Sequence, residues 1–112
     1  MSPDLTPLLD ILLAVNRALE FTKGCDASAF RGDKLIRWAV YSQIIVIGEA
    51  AARISRDFQR DHPEIPWADM IGMRHRLVHG YDEVKWDRVW DTVVVDLPKL
   101  KAVIASLIPN EP

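Results

Sequence analysis

The sequence predicts an all-α protein, an antiparallel bundle of four to five helices in one domain that spans residues 1–112. Apolar residues recur at three- and four-residue steps along most of the chain, which is the period of amphipathic helices. Glycine and proline interrupt that period at only a few places, so short loops are expected. A length of 112 residues suits a single compact domain.

The first predicted helix covers residues 2–23 and has recognisable ends. Ser2 is a suitable N-cap, and Pro3 suits the first helical position because its missing N–H has no helical partner there. Gly24 suits the position just past the last turn. Both boundaries therefore have a chemical cause.

The second predicted helix is the longest, beginning at Ala27 or Arg31 and continuing to Arg60 because apolar residues keep helical spacing across it. Two prolines in residues 61–66 end it. Its apolar positions are expected to be Leu35, Trp38, Ala39, Ser42, Ile45, Val46, Ala50 and Ile54.

Two further helices complete the predicted bundle. The third covers residues 67–78 and ends before Gly80, which disfavours helix. The last covers residues 84–107. Pro98 lies inside its period and is expected to bend or divide it, because proline removes an amide donor and crowds the preceding turn.

The composition is that of a folded protein, with 49% apolar and 27% charged residues. The formal net charge of −2 means that contact with nucleic acid must come from a local basic patch. The lone Cys25 excludes an internal disulfide and fits a reducing compartment. No apolar run approaches the roughly 20 residues of a spanning helix, and the N-terminus lacks secretion features. We therefore expect a cytoplasmic protein without membrane contact.

Residues 74–81 concentrate two arginines, two histidines and a tyrosine. Arg74 and His79 are five positions apart, which on a continuous helix separates them by about 140°. Two arrangements can bring them together. Either the helix unwinds near Gly80 and turns His79 and Tyr81 back, or a second copy of the chain supplies the complementary group across a twofold axis.

These residue types match what metal-independent cleavage of RNA requires. The reaction needs a base for the 2′-hydroxyl proton, an acid for the leaving 5′-oxygen and a cation for the charge on phosphorus. Imidazole serves both proton roles because it ordinarily titrates near neutral pH. The guanidinium of Arg74 stays protonated and offers a planar fork to phosphate oxygens. Tyr81 can position a phosphate or stack on a base.

Three segments carry a family resemblance: Gly72-Met-Arg-His-Arg-Leu-Val-His-Gly-Tyr81, Ile47-Gly48-Glu49-Ala50, and Trp90-Asp-Thr-Val-Val-Val-Asp-Leu-Pro98. Together they resemble the HepT-like toxins of the HEPN superfamily, over nearly the whole chain. The superfamily motif Arg-x4–6-His is loose. The fuller Arg-x4-His-x-Tyr form, in this helical setting, is much more specific.

The resemblance implies a ribonuclease toxin that works as a twofold homodimer without a cofactor, with Arg74 and His79 catalytic at the dimer cleft. It also implies that a cognate MNT-type nucleotidyltransferase antitoxin modifies Tyr81 with AMP. Family members often have Asn after the motif arginine, where this chain has His75. The main alternative is a non-catalytic HEPN module that binds a nucleotide or its partner, and a third possibility is a purely structural helical dimer.

The neighbouring residues have open roles at this point. His75 and Arg76 are candidates for contact with RNA. Glu49 is either an exposed carboxylate or an anchor bonded to Arg74 or Arg76, since a buried charge needs a partner. His75 and His79 have the spacing of a helical metal pair, but no glutamate follows His75 and no third ligand is evident, so no metal site is predicted.

The four tryptophans are expected to be packing residues and not platforms for bases. Trp38, Trp86 and Trp90 fall at apolar helical positions and are expected in the core or an interface. Trp67 is a candidate for the dimer surface.

Overall fold

The computed structural model describes residues 3–109, and helices account for most of that range, as the sequence predicts. A short 3₁₀ turn, Tyr81–Glu83, follows the fifth helix, and a π-helical segment, Thr92–Asp96, joins the last two. The helices are α1 Leu5–Phe21, α2 Ala27–Gly32, α3 Lys34–Ala52, α4 Arg56–Asp61, α5 Trp67–His79, α6 Trp86–Asp91 and α7 Leu97–Leu107.

Helix α3 is central, since it packs against both α1 and α5, while α7 packs on α1. Helices α1 and α3 run antiparallel. Asp4, just before α1, accepts hydrogen bonds from the backbone N–H and Oγ of Ser55, just after α3, at 2.7 and 2.8 Å. Arg53 at the end of α3 also pairs with Asp10 in α1 at 3.1 Å. The fully buried core includes Ile11, Val15, Phe30, Val40, Val89 and Ile104.

The first predicted helix is confirmed with different ends. Ser2 lies outside the described residues, and Pro3 lies in a turn before α1 and not at its first helical position. Helix α1 begins at Leu5. Gly24 follows its end with φ +80°, a left-handed conformation that glycine adopts without steric cost.

The long helix predicted from residue 27 or 31 to 60 is wrong in its continuity, because the structure divides it into α2, α3 and α4. Two side chains cap new helices within it. Asp33 accepts a hydrogen bond from the N–H of Ile36 at 3.1 Å, and Ser55 accepts one from the N–H of Phe58 at 3.2 Å. Both have extended backbone, as N-caps do. Each side chain therefore ends one helix and starts the next.

The predicted apolar face of α3 is also largely wrong. Leu35 is 85% exposed, Trp38 38% and Val46 39%. Because α1 and α5 cover two other sides of the helix, the buried arc lies elsewhere. The buried residues of α3 are Val40, Ile44, Ile47, Gly48, Ala50 and Ala51.

The expectation for Trp67 is reversed as well. Its side chain is only 6% exposed, and the indole N–H donates to the carbonyl oxygen of His62 at 3.0 Å. Trp67 therefore anchors the start of α5 in the core and offers no surface to a partner.

The predicted interruption at Pro98 takes the form of the π-helical segment before it. Pro98 is the second residue of α7 and cannot donate an i→i−4 hydrogen bond. The N–H of Leu97 instead reaches back five residues to the carbonyl of Thr92. The wider turn lets the helical path continue without a loop.

By length and composition alone, α3 is long and apolar enough to cross a membrane, which the count of consecutive apolar residues did not register. This is weak evidence, since the core helix of a soluble protein passes the same test. In this fold, α3 is covered on two sides by other helices.

The close contact between α3 and α5 depends on Gly48. A Cβ at this position would overlap the side chain of Arg74 and lie 2.9 Å from the carbonyl oxygen of Met70. The backbone oxygen cannot move without displacing α5. Only glycine therefore allows the two helices to approach this closely.

We predict that Gly48→Ala lowers the free energy of unfolding by about 1–3 kcal/mol, the usual cost of overpacking a core. The loss occurs although alanine has the higher helix propensity. Chemical denaturation monitored by circular dichroism measures it.

Gly32→Ala is the matched control, because a Cβ there meets no atom within 4 Å and its φ is not positive. Its effect is expected to stay within about 0.5 kcal/mol. Equal effects of the two substitutions would contradict the steric explanation.

Candidate active site

Arg74 is held at the crossing of α3 and α5 by Glu49. Its Nη2 donates to Oε1 of Glu49 at 2.6 Å. The two side chains are 32% and 51% exposed, so the pair contributes little to stability, roughly 0.2–1 kcal/mol for exposed pairs. Its effect is to orient the guanidinium. Of the two roles left open for Glu49, the structure supports the anchor, bonded to Arg74 and not to Arg76.

The rest of the Arg74 guanidinium has no protein partner in residues 3–109. Its Nε is buried and unbonded, and Nη1 makes no hydrogen bond within that range. Glu49 therefore fixes one edge of the fork. Arginine recognises phosphate through such parallel N–H donors, and the free Nη1 suits a phosphate oxygen.

His75 and His79 form a stacked pair one turn apart on α5. Their ring centroids are 4.3 Å apart with an interplanar angle of 52°, and both residues are exposed. Neither ring makes a hydrogen bond to a protein group in the described part of the chain. The imidazole nitrogens are thus free to exchange protons with a bound ligand.

The structure does not bring Arg74 and His79 together within one chain. Helix α5 remains helical through His79, so unwinding near Gly80 does not turn His79 back. The two side chains leave the helix about 140° apart. Arg74 contacts α3, whereas His79 contacts only His75 on its own helix.

Tyr81 lies just past the end of α5, at the start of the 3₁₀ turn, and is 65% exposed. Gly80 makes the turn possible. Its N–H donates to the carbonyl of Arg76 at 2.8 Å, and a Cβ on Gly80 would lie 2.9 Å from that same oxygen. The phenol is therefore presented to solvent close to His79 in sequence.

Tyr41 is a supporting residue that the sequence analysis missed. Its hydroxyl donates to the carbonyl of Leu77, in the last turn of α5, at 2.8 Å. Its ring packs against Trp38 and Trp86, with centroids 4.9 and 6.4 Å away. Tyr41 precedes Gly48 by seven residues, or two helical turns. That spacing was the available indication that both residues face α5.

Arg76 is separated from the other candidates. It is exposed, and its Nη1 would lie 3.3 Å from a Cβ on Gly72, so its side chain folds back along α5. It lines a cleft with α6 that includes neither Arg74 nor His79. Among residues 3–109 there is no group of three or more His, Cys, Asp or Glu side chains placed to hold a metal ion.

Comparison with known proteins places this arrangement in a family. A family model described as "Ribonuclease HepT-like" matches residues 11–107. A protein of Thermococcus cleftensis named "Probable ribonuclease HepT" is 41% identical over 100 residues, covering 89% of this chain and 91% of that protein.

Two proteins of Methanocaldococcus jannaschii, each named "Putative RNase", are similar over comparable lengths. One is 40% identical over 94 residues, covering 84% of this chain and 86% of the relative. The other is 36% identical over 103 residues, covering 92% and 89%. No solved structure gives a significant match. With the family model covering most of the chain, and these relatives matched along most of their own length, the chain belongs to the HepT-like family of HEPN ribonucleases.

Proposed function

We propose that the protein is a toxin that cleaves RNA as a homodimer, without a metal ion, at a site that combines Arg74 of one chain with His79 of the other. The observation that carries this is the uninterrupted helix α5, which directs the two side chains to different sides. A twofold axis near this helix places the same patch opposite itself and supplies both groups to one cleft.

An exposed apolar stripe on α3 supports dimerisation beside the site. Leu35, Trp38, Ser42, Val46 and Glu49 lie within about 80° of one another around the helix. The first, second and fourth are apolar and exposed, and Glu49 holds Arg74. A second copy that covers this stripe therefore also approaches Arg74. Burial of such side chains is the main favourable term in association.

The proposed reaction is attack by the 2′-hydroxyl on the adjacent phosphorus. One imidazole accepts the hydroxyl proton, and an imidazolium returns a proton to the departing 5′-oxygen, giving a 2′,3′-cyclic phosphate and a 5′-hydroxyl. His79 supplies this chemistry, with His75 stacked on it as a second imidazole. Arg74 stabilises the charge that develops on the phosphorus oxygens. Single-stranded or loop RNA is the expected substrate, because its 2′-hydroxyl can align with the leaving oxygen.

Control by a partner is the remaining part of the proposal. An MNT-type nucleotidyltransferase antitoxin transfers AMP from ATP to the Tyr81 hydroxyl in the cytoplasm. The exposure of Tyr81 supports this, since its phenol is accessible to a second enzyme. A bulky anion there competes with RNA phosphate for Arg74 and obstructs the cleft.

We predict that the purified protein cleaves single-stranded RNA in the presence of EDTA. His79→Ala and Arg74→Ala should each lower the rate about 100-fold or more, the range for loss of a proton-transfer group or a charge stabiliser. Gel analysis of products, including the cyclic phosphate end, measures the activity. Arg56→Ala, an exposed arginine of α4, is the matched control.

Mixing the two inactive variants distinguishes a shared site from a site within one chain. Random reassortment makes half of the dimers mixed, each with one intact shared site, so about a quarter of the native rate should return. Equal cleavage by all variants would indicate a contaminating nuclease, and no cleavage by the native chain would favour the non-catalytic binding module.

We predict that Val46→Glu converts the dimer to a monomer and abolishes cleavage, because it places a charge in the apolar stripe. Sedimentation velocity and circular dichroism report the mass and the retained fold. Leu13→Glu is the control, since Leu13 is a comparably exposed leucine on α1, at 48%. A dimeric, active Val46→Glu protein would exclude this face as the interface.

We predict that incubation with an MNT-type nucleotidyltransferase, ATP and Mg²⁺ adds AMP to Tyr81 and suppresses cleavage. Tyr41 serves as an internal control, because its hydroxyl is donated to Leu77 and its ring is packed. Mass spectrometry of peptides locates the adduct, and Tyr81→Phe should escape modification. Full activity of the AMP-modified protein would contradict this mode of control.

A further inference from the structure

A cleft of about 210 Å³ lies between the end of α5, the 3₁₀ turn and the start of α6. On α5 it is lined by Met73, Arg76, Leu77 and Gly80, which form one stripe along the helix. Neither Arg74 nor His79 lines it. The cleft is therefore on a different side of α5 from the proposed catalytic groups.

Three cations surround this cleft without ion pairs. Arg76, Lys85 and Arg88 are exposed, and none has a carboxylate within 4.0 Å in the described range. Glu83 is the acidic residue of the lining, so the cleft carries a net positive charge. By contrast, the neighbouring Asp87 is occupied by Arg31 at 3.1 Å. Unpaired cations that converge on a concave surface attract a phosphate.

The floor of the cleft is apolar. Leu77 and Val89 are buried, and Met73 and Val84 are partly buried beside them. Small-molecule sites commonly combine such a floor with a few polar groups at the rim. An apolar floor suits the face of a nucleobase, and the cationic rim suits its phosphate. The combination is selective for a nucleotide over a bare anion.

The cleft also adjoins the proposed site along the chain. Gly80 lines it, and His79 and Tyr81 are the residues on either side. A strand that leaves the cleft over the C-terminal end of α5 therefore reaches His79 within a few nucleotides. We propose that this cleft binds one nucleotide of the RNA strand that flanks the cleaved bond, an assignment that rests on the proposed ribonuclease function.

Binding of a fully 2′-O-methylated single-stranded RNA tests the proposal, because this RNA cannot be cleaved by 2′-hydroxyl attack. The double variant Lys85→Gln/Arg88→Gln should bind about tenfold more weakly at low salt, and the salt dependence of log K should fall by about 0.7 per lost phosphate contact. Arg17→Gln/Lys101→Gln removes the same charge from exposed positions on α1 and α7 and should leave binding unchanged.

Methyl NMR identifies the ligand class in the cleft. Adenosine 5′-monophosphate should shift the Met73 and Leu77 methyl signals, and ribose 5-phosphate should shift them much less because it lacks the base. The double variant should lose both responses while retaining its circular dichroism spectrum.

Three results would overturn the assignment: no methyl shift with either compound, RNA binding by the double variant equal to native, or equal weakening by the control pair. Cleavage is measured separately. A protein that binds through the cleft and never cuts RNA refutes the ribonuclease function alone. A protein that cuts RNA and binds without the cleft refutes the subsite alone.

Discussion

The contact between α3 and α5 at Gly48 is the constraint on which the rest of the site depends. Because there is no side chain at this position, the two helices lie close enough for Glu49 to reach the guanidinium of Arg74. Two turns earlier on α3, Tyr41 bonds the last turn of α5. The motif helix is thus fixed at both ends of the segment that carries the chemistry, and His79 and Tyr81 are presented at its exit.

Local features of the sequence were sufficient for much of the fold. Helical periodicity predicted the all-α class, and residues with strong backbone preferences predicted several ends, at Gly24, before Gly80 and in residues 61–66. The division of the long helix was missed because Asp33 and Ser55 resemble ordinary polar positions within an amphipathic pattern. Their capping role depends on neighbours. Ser55, for instance, also bonds Asp4, which is 51 residues away.

The site was predictable to the extent that it depends on one helix. Simple helical arithmetic separated Arg74 from His79, and the continuous helix α5 agrees with it. The buried face of α3 was not predictable, because apolar residues occur on several of its sides and only packing selects among them. The same holds for the cleft beside Arg76, which exists only where α5, the 3₁₀ turn and α6 meet.

The π-helical segment at Thr92–Asp96 has a consequence for how this fold can vary. It accommodates one more residue per turn than a regular helix would, so it sets the rotational register between α6 and α7. Loss of one residue there would restore an ordinary hydrogen-bonding ladder, yet turn α7 by about 100° relative to α6. Leu100 and Ile104 would then leave the core. The irregular turn acts as a phase adjuster that lets one helix satisfy the cleft with its first half and the core with its second.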